Sequence, residues 1–293
     1  MYKVLVIIVT YNAHDWIHQC LNSIDMERYD AFVVDNASSD DTLQILQAEY
    51  PKAIVRAMDE NLGFGQANNI GLRYALDNGY DYVFLLNQDA WLLPDTIEEL
   101  IAAQKQNPEY WVLSPLQMNT EQGRVESQFK VYLERFQVDT SANSIQNVMF
   151  CNAATWLIAR EGIMRVGGFD PIFPHYGEDT DYLQRVIFHG GKIGIFPSAQ
   201  AYHERGSVSN KSDEKAIYIT MLVYMGMLKN INQHLFICNC NLFIYIIIHL
   251  LKNVCKLQFC KIRISYLALK GVYKKYKEIK EHRIVTKTQA AYI

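Results

Sequence analysis

Apolar residues along most of this chain fall in short dense runs, and each run ends in polar residues. Residues 3–9 and 82–86 are nearly continuous apolar stretches, and residues 31–34 form a shorter one. Runs of this length without strict alternation predict strands covered on both faces, as in a parallel α/β sheet. Between them, apolar positions three and four apart predict helices over 15–24, 42–50 and 66–77, with Pro51 closing the second. Residues 53–56 read as a further strand. Strand and helix alternating in this way predict a doubly wound half, in which right-handed crossovers bring the polar strand ends to one edge. Thr10 and Asn12, Asp35 and Asn36, and Asn87 and Asp89 should therefore line one crevice.

The pattern continues with a helix over 96–106 and a strand over 111–113. Residues 117–147 are polar and mixed, which predicts an inserted loop or hairpin that helps choose a second substrate. A strand over 149–159, a short helix over 161–166, a helix over 180–189 and a last strand over 192–196 follow. Beyond that strand comes Ala201-Tyr202-His203-Glu204-Arg205-Gly206. No internal repeat is evident.

Half of the 293 residues are hydrophobic, enough for a sizeable core. Charge divides the chain. Residues 252–293 hold eleven Lys and Arg against two Glu, while the remainder holds seventeen basic residues against twenty-nine acidic ones. An acidic body with a basic tail predicts two parts with different surroundings; a nucleic-acid partner is not expected. Six cysteines include no C-x-x-C pair, so zinc is not expected and reduced thiols in the cytoplasm are. Residues 1–5 run into a strand-like segment without a signal-peptide pattern.

Three stretches carry candidate chemistry. Asn87-Gln88-Asp89 follows the strand over 82–86 and offers Asp89 as a hard oxygen ligand, though Asn and Asp also favour plain turns. Gly177-Glu178-Asp179-Thr180-Asp181 opens a helix with three carboxylates, which suits either capping or a general base. His203 could join Asp89 at a Mn²⁺-type site, or be structural. Gly63-Phe64-Gly65 lacks the third glycine of a dinucleotide fingerprint, since Asn68 stands there, and the nicotinamide reading is rejected.

The order of these motifs resembles the inverting family 2 glycosyltransferases of GT-A fold, in the branch with rhamnosyl- and galactofuranosyltransferase-like enzymes. The resemblance rests on Val9-Thr10-Tyr11-Asn12, Val34-Asp35-Asn36-Ala37-Ser38-Ser39-Asp40, the stretch Asn61-Leu62-Gly63-Phe64-Gly65-Gln66-Ala67-Asn68-Asn69-Ile70-Gly71, Leu86-Asn87-Gln88-Asp89-Ala90, Val166-Gly167-Gly168-Phe169-Asp170, the acidic stretch at 177–181 and His203. It implies an α/β GT-A domain over 1–213, a doubly wound, mostly parallel sheet, with a helical, basic extension over 214–293. It further implies nucleotide-sugar contacts at Thr10, Tyr11, Asn12, Asp35, Asn36, Asn61, Gly65, Asn68, Asn87 and Asp89. A divalent cation, Mg²⁺ or Mn²⁺, would lie on Asp89 and His203. Asp179 would be the base, with Glu178 and Asp181 behind it. The family's acidic triplet usually begins with Asp, and here Asn87 stands in its place.

The implied activity is transfer of one sugar, with inversion, from a nucleotide-diphosphate donor to a saccharide or lipid-linked acceptor in bacterial surface polysaccharide synthesis. Two rivals stand beside it. One is a glycosyltransferase-like protein that binds nucleotide-sugar or a partner without turnover, motivated by Asn87. The other is a nucleotidyltransferase, which would need basic residues that 4–12 do not offer. Residues 235–251 are strongly apolar and the basic stretch after them carries interspersed apolar residues, which predicts helices on the anionic inner face of the cell membrane. Packing on the domain or on a second subunit is the alternative.

Overall fold

The computed structural model describes residues 2–120, 123–204 and 212–293; Arg205 and Gly206, at the end of the last stretch read above, lie outside them. Its first half alternates as the sequence predicts: β1 (Val4–Thr10), α1 (Ile17–Asn22), β2 (Asp30–Asp35), α2 (Thr42–Glu49), β3 (Ile54–Ala57), α3 (Phe64–Asp77) and β4 (Tyr82–Asn87). Then come β5 (Ala90–Leu92), α4 (Thr96–Gln106), β6 (Tyr110–Asn119), β7 (Arg124–Val125), α5 (Ser127–Phe136), β8 (Gln146–Val148), β9 (Thr155–Ala159), α6 (Arg160–Val166), α7 (Glu178–Phe188) and β10 (Lys192–His203). Three helices end the chain: α8 (Asp213–Lys229), α9 (Leu235–Cys255) and α10 (Phe259–Thr288).

The described strands form one sheet in the order β3-β2-β1-β4-β9-β6-β10-β5, with β7 on β6 and β8 on β10. β3, β2, β1 and β4 are mutually parallel, as are β6 and β10, whereas β9 runs antiparallel between β4 and β6. Alternate residues of β1 explain its unbroken apolar run. Leu5 and Ile7 pack into a core with Leu72 of α3 and Tyr182 of α7, while Val4, Val6 and Ile8 pack on the other face with Ile17, Leu21 and Leu100. Register then aligns the strand ends, because Thr10 pairs with Asp35 and Val9 with Asn87.

Several boundaries differ from the sequence reading. The region 117–147 is neither loop nor hairpin throughout, because it contains α5, whose start is capped by Glu126 accepting from the backbone N–H of Gln128 and Phe129. Phe129 and Leu133, four apart, are its buried face. The expected strand over 149–159 begins only at Thr155. The last strand does not stop at 196 but bulges and continues, so His203 ends β10 and pairs with Ala90 rather than following the strand. α7 begins at Glu178, earlier than expected, so all three carboxylates lie in its first turn.

The C-terminal helices pack on the sheet domain through their own apolar cluster. Leu222, Tyr224 and Leu228 of α8 meet Leu242 of α9, Val272 and Ile279 of α10, and Ile172 and Phe173 of the loop before α7. Near Ala291 the chain returns to this loop, where Gly168 N–H donates to Ala291 O at 2.8 Å. All six cysteines are free thiols.

Candidate active site

The crevice at the ends of β1, β2 and β4 is built from interlocked polar residues. Gln88 clamps the backbone of Tyr11, accepting from its N–H at 2.7 Å and donating to its carbonyl at 3.2 Å. Asn12 takes a left-handed backbone (φ 51°), and its Oδ1 accepts from Ser39 N–H. Asp35 is buried, accepting from Thr10 Oγ1 at 3.0 Å, Ser38 Oγ at 2.5 Å and Ser38 N–H at 3.1 Å. Asn36 donates to Asn61 Oδ1 at 2.9 Å and accepts from Leu62 N–H at 2.8 Å. These residues brace two loops against each other, leaving Tyr11, Asn12 and Asn61 exposed at the rim. Asn68 is buried and turns back to Phe64 O within α3.

Glycines hold the third wall close. Gly63 has φ 78°, and a Cβ there would fall 1.9 Å from Pro174 O, so no other residue fits this crossing. A Cβ on Gly65 would come within 2.9 Å of Phe169 Cβ and 3.6 Å of Glu178 Cβ. The start of α3 and the start of α7 are thereby in contact.

Asp89 and His203 are brought together. His203 Nε2 lies 3.5 Å from Asp89 Oδ1, with the imidazole buried and the carboxylate partly open. Behind the ring, His203 Nδ1 is 3.1 Å from Gln117 Oε1, which also accepts from Asn152 Nδ2 at 3.2 Å, while Gln117 Nε2 donates to Thr155 Oγ1 at 3.1 Å. That network makes Oε1 the acceptor, so Nδ1 carries the proton and the Nε2 lone pair faces the carboxylate. Two electron-pair donors facing each other need a proton or a cation between them. Ligands at about 2.0–2.2 Å from one ion span roughly 3–3.5 Å when adjacent, so the pair fits a shared divalent cation. Asn87 Oδ1 is buried close by in sequence without a protein partner. Among the described residues no cluster of three or more His, Cys, Asp or Glu forms a complete cage.

The three carboxylates of α7 differ sharply. Asp181 is buried against Arg185, Nε to Oδ2 2.7 Å, with Lys229 Nζ at 3.6 Å on its other oxygen. Glu178 is buried with Oε2 unpartnered, and burial, then the Asp179 charge, pushes its carboxyl up to about 8. Asp179 is half-buried and accepts from Thr180 N–H at 2.7 Å. It lies near Cys151, whose thiol is pushed up to about 12 by burial and by Asp179. Asn152, the next residue, donates to Gln117 and so belongs to the chain that runs through Gln117 and His203 to Asp89. Sequence reasoning noted Gln88 without a role of its own and missed Gln117 and Asn152. A glutamine at the apolar, buried end of β6 was the available signal for Gln117.

Residues 5–167 match the Glycosyl transferase family 2 profile, more than half of the chain. The chain belongs to glycosyl transferase family 2. Among curated proteins, this glycosyltransferase is 25% identical over 231 residues to the N-acetylglucosaminyl-diphospho-decaprenol L-rhamnosyltransferase of Mycobacterium tuberculosis, covering 68% of this chain and 75% of that one. It is 22% identical over 215 residues to the dTDP-rhamnosyl transferase RfbF of Shigella flexneri, covering 71% of each. These relatives put it in the rhamnosyltransferase-like branch. Two solved structures share its fold. S. aureus TarS 1-349, in complex with UDP, superposes with a TM-score of 0.55 at 18% identity, covering 77% of this chain and 65% of that one. GalNAc-T7 with UDP, GalNAc and Mn²⁺ gives 0.57 at 15%, covering 77% and 48%. The GT-A-like architecture expected from the sequence is thus the observed one.

Proposed function

We propose that this glycosyltransferase moves one sugar, rhamnose first among candidates, from a nucleotide-diphosphate donor to a saccharide or lipid-linked acceptor, with inversion, in bacterial surface polysaccharide synthesis. The observation that carries the reading is the Asp89–His203 pair, 3.5 Å apart and backed by Gln117 and Asn152. The relatives named for rhamnosyl transfer, one of them to a diphospho-decaprenol acceptor, support the substrate classes. A cytoplasmic place on the inner membrane face suits such an acceptor.

In this reading Tyr11, Asn12 and Asn61 border the nucleotide, with Thr10, Asp35, Asn36, Gly65 and Asn68 shaping the wall behind them. Asp89 and His203 Nε2 would hold a divalent cation beside the diphosphate. When bound, such an ion neutralises charge developing on the leaving phosphate. The acceptor hydroxyl oxygen attacks the anomeric carbon as the bond to the diphosphate breaks, and Asp179 takes the hydroxyl proton. A base opposite the leaving group gives inversion. The leaving diphosphate needs no protein acid.

Mass-spectrometric screening of the purified chain against a nucleotide-sugar panel, with Mg²⁺ or Mn²⁺ and with chelator, tests the proposal. Transfer or slow hydrolysis of one donor is the expected result. Donor binding without turnover under every condition would favour a binding protein instead.

A further inference from the structure

One side of α9 is left uncovered by the rest of the protein. Cys238, Leu242 and Asn253 turn inward, and Asn239 Nδ2 donates to Tyr276 Oη of α10 at 3.0 Å. On the other side Phe236, Phe243, Ile244, Ile248, Leu251 and Val254 are all at least 46% exposed. The turn into α10 extends this face, with Leu257 at 74% and Phe259 at 65%. Single exposed hydrophobics are ordinary, but a continuous apolar stripe along a helix of about six turns marks a contact surface. No Asp, Glu, Lys or Arg interrupts 235–251, and exposed Lys252, Lys256, Lys261 and Arg263 collar its C-terminal end.

The occupant follows from charge and packing. The collar is complementary in charge to anionic headgroups, whereas a second copy of the same basic region offers it no opposite charge. Crossing a bilayer is within reach of a 21-residue helix by length and composition. It would, however, tear α9 from α8 and α10 and carry Asn239, Asn241, Asn253 and His249 into hydrocarbon. Lying along an anionic lipid surface keeps every inward contact, buries the stripe and sets the lysines against headgroups. A cleft of about 470 Å³ between α7, α8 and α9, walled by Thr180, Ile219, Leu222, Val223, Met227 and Asn241, connects this region to the start of α7. A lipid held at α9 is then near the neighbours of Asp179.

We propose that α9 and the turn into α10 form a side-on docking surface for an anionic lipid bilayer. This names the surface by which the membrane place proposed above is reached. Vesicle binding is measured without turnover, so its failure and the failure of the transferase reading are separable.

The test is flotation of the full chain with phosphatidylcholine vesicles, with or without an equal part of phosphatidylglycerol. The intact chain should float with the anionic vesicles and much less with the neutral ones. Phe243→Glu with Leu251→Glu should cut binding by about 10-fold or more, since it places charge in the apolar face. Lys252→Glu with Lys256→Glu should weaken binding to anionic vesicles and flatten its salt dependence. All four side chains are exposed, and unchanged melting of both double variants would show that folding is kept. An intact chain that stays with the soluble fraction, or double variants that float as it does, overturns the proposal. So does a dimer, seen by sedimentation velocity and broken by the Phe243/Leu251 pair, in a chain that ignores both vesicles.

Discussion

Lys229 Nζ lies 2.6 Å from Asp170 Oδ2 and 3.6 Å from Asp181 Oδ1, and none of the three side chains reaches solvent. Asp170 also meets His282 Nδ1 at 2.7 Å and accepts from Tyr292 Oη at 3.0 Å. Asp181 holds Arg185, whose remaining donors reach Val166 O and Gly168 O. Lys229 of α8 thus neutralises carboxylates belonging to α7 and the loop before it, and His282 of α10 and Tyr292 beyond it hydrogen-bond to one of them. The C-terminal helices are a brace for the helix that carries Asp179, not an appendage.

Removing the cation should therefore be costly. Lys229→Met leaves Asp170 and Asp181 short of positive charge in a site closed to water. The expected loss is about 3–5 kcal/mol, the range for breaking a buried pair from one side. Urea unfolding measures it. A midpoint close to that of the parent would mean that His282 and Arg185 suffice.

Two buried carboxyls give stability opposite pH dependences. Burial would raise Asp170, but His282 and Lys229 outweigh it and hold the group well below its usual 3.8. Its contribution is present above about 3.8 and is lost as pH falls toward the folded value. Glu178 goes the other way. Its carboxyl rises from 4.5 to about 8, so the folded chain holds a proton that the unfolded chain releases, and stability declines as pH climbs between these values. Glu178→Gln should remove that decline. Melting from pH 5 to 8 should show the variant gaining on the parent as pH rises, and parallel curves would count against the buried, protonated Glu178.

Gln117 gives a prediction about the proposed cation. Gln117→Leu deletes the acceptor that fixes the His203 tautomer. Orienting partners of metal-binding histidines are worth about 10–100-fold in affinity, so the half-activating Mn²⁺ concentration should rise by that factor. Gln117→Glu keeps an acceptor for Nδ1 and should recover most of the response. Nucleotide binding without metal should be alike in all three proteins. Equal Mn²⁺ titrations for the parent and the Leu variant would sink the assignment.

The legible part of this chain is the part where local pattern and burial coincide. β1 and β4 lie between two helical layers, so their runs are apolar without alternation, and their register follows from the crossovers. The antiparallel insertion of β9 between β4 and β6 was hidden, because pairing partners distant in sequence leave no periodic trace. α5 did leave one, in Phe129, Tyr132, Leu133 and Phe136, but the polar residues around it masked the spacing. The three carboxylates of α7 look alike in sequence. Only the fold separates them, since Lys229 and Arg185 claim Asp181 and burial closes over Glu178.

That separation sharpens the test of the proposed base. Asp181 is held in the ion-pair network, so Asp181→Asn should act on stability first and on transfer only through it. Glu178 is buried, and burial with the Asp179 charge raises its carboxyl to about 8, so what sets it behind Asp179 is its lack of access to an acceptor. Asp179 is the one of the three with partial access to solvent, and it opens a helix whose positive end favours negative charge. Asp179→Asn is nearly isosteric and removes that charge. Transfer should fall by about 10²–10⁴-fold, the usual worth of a positioned base. Donor affinity should barely change, because the base serves only the acceptor hydroxyl. Transfer rates and donor affinities for the Asp179→Asn, Glu178→Gln and Asp181→Asn variants decide the matter. Near-normal transfer in the Asp179 variant, beside a dead but folded Glu178 variant, would move the base to Glu178. Loss of donor binding together with transfer would instead make Asp179 part of the wall of the site.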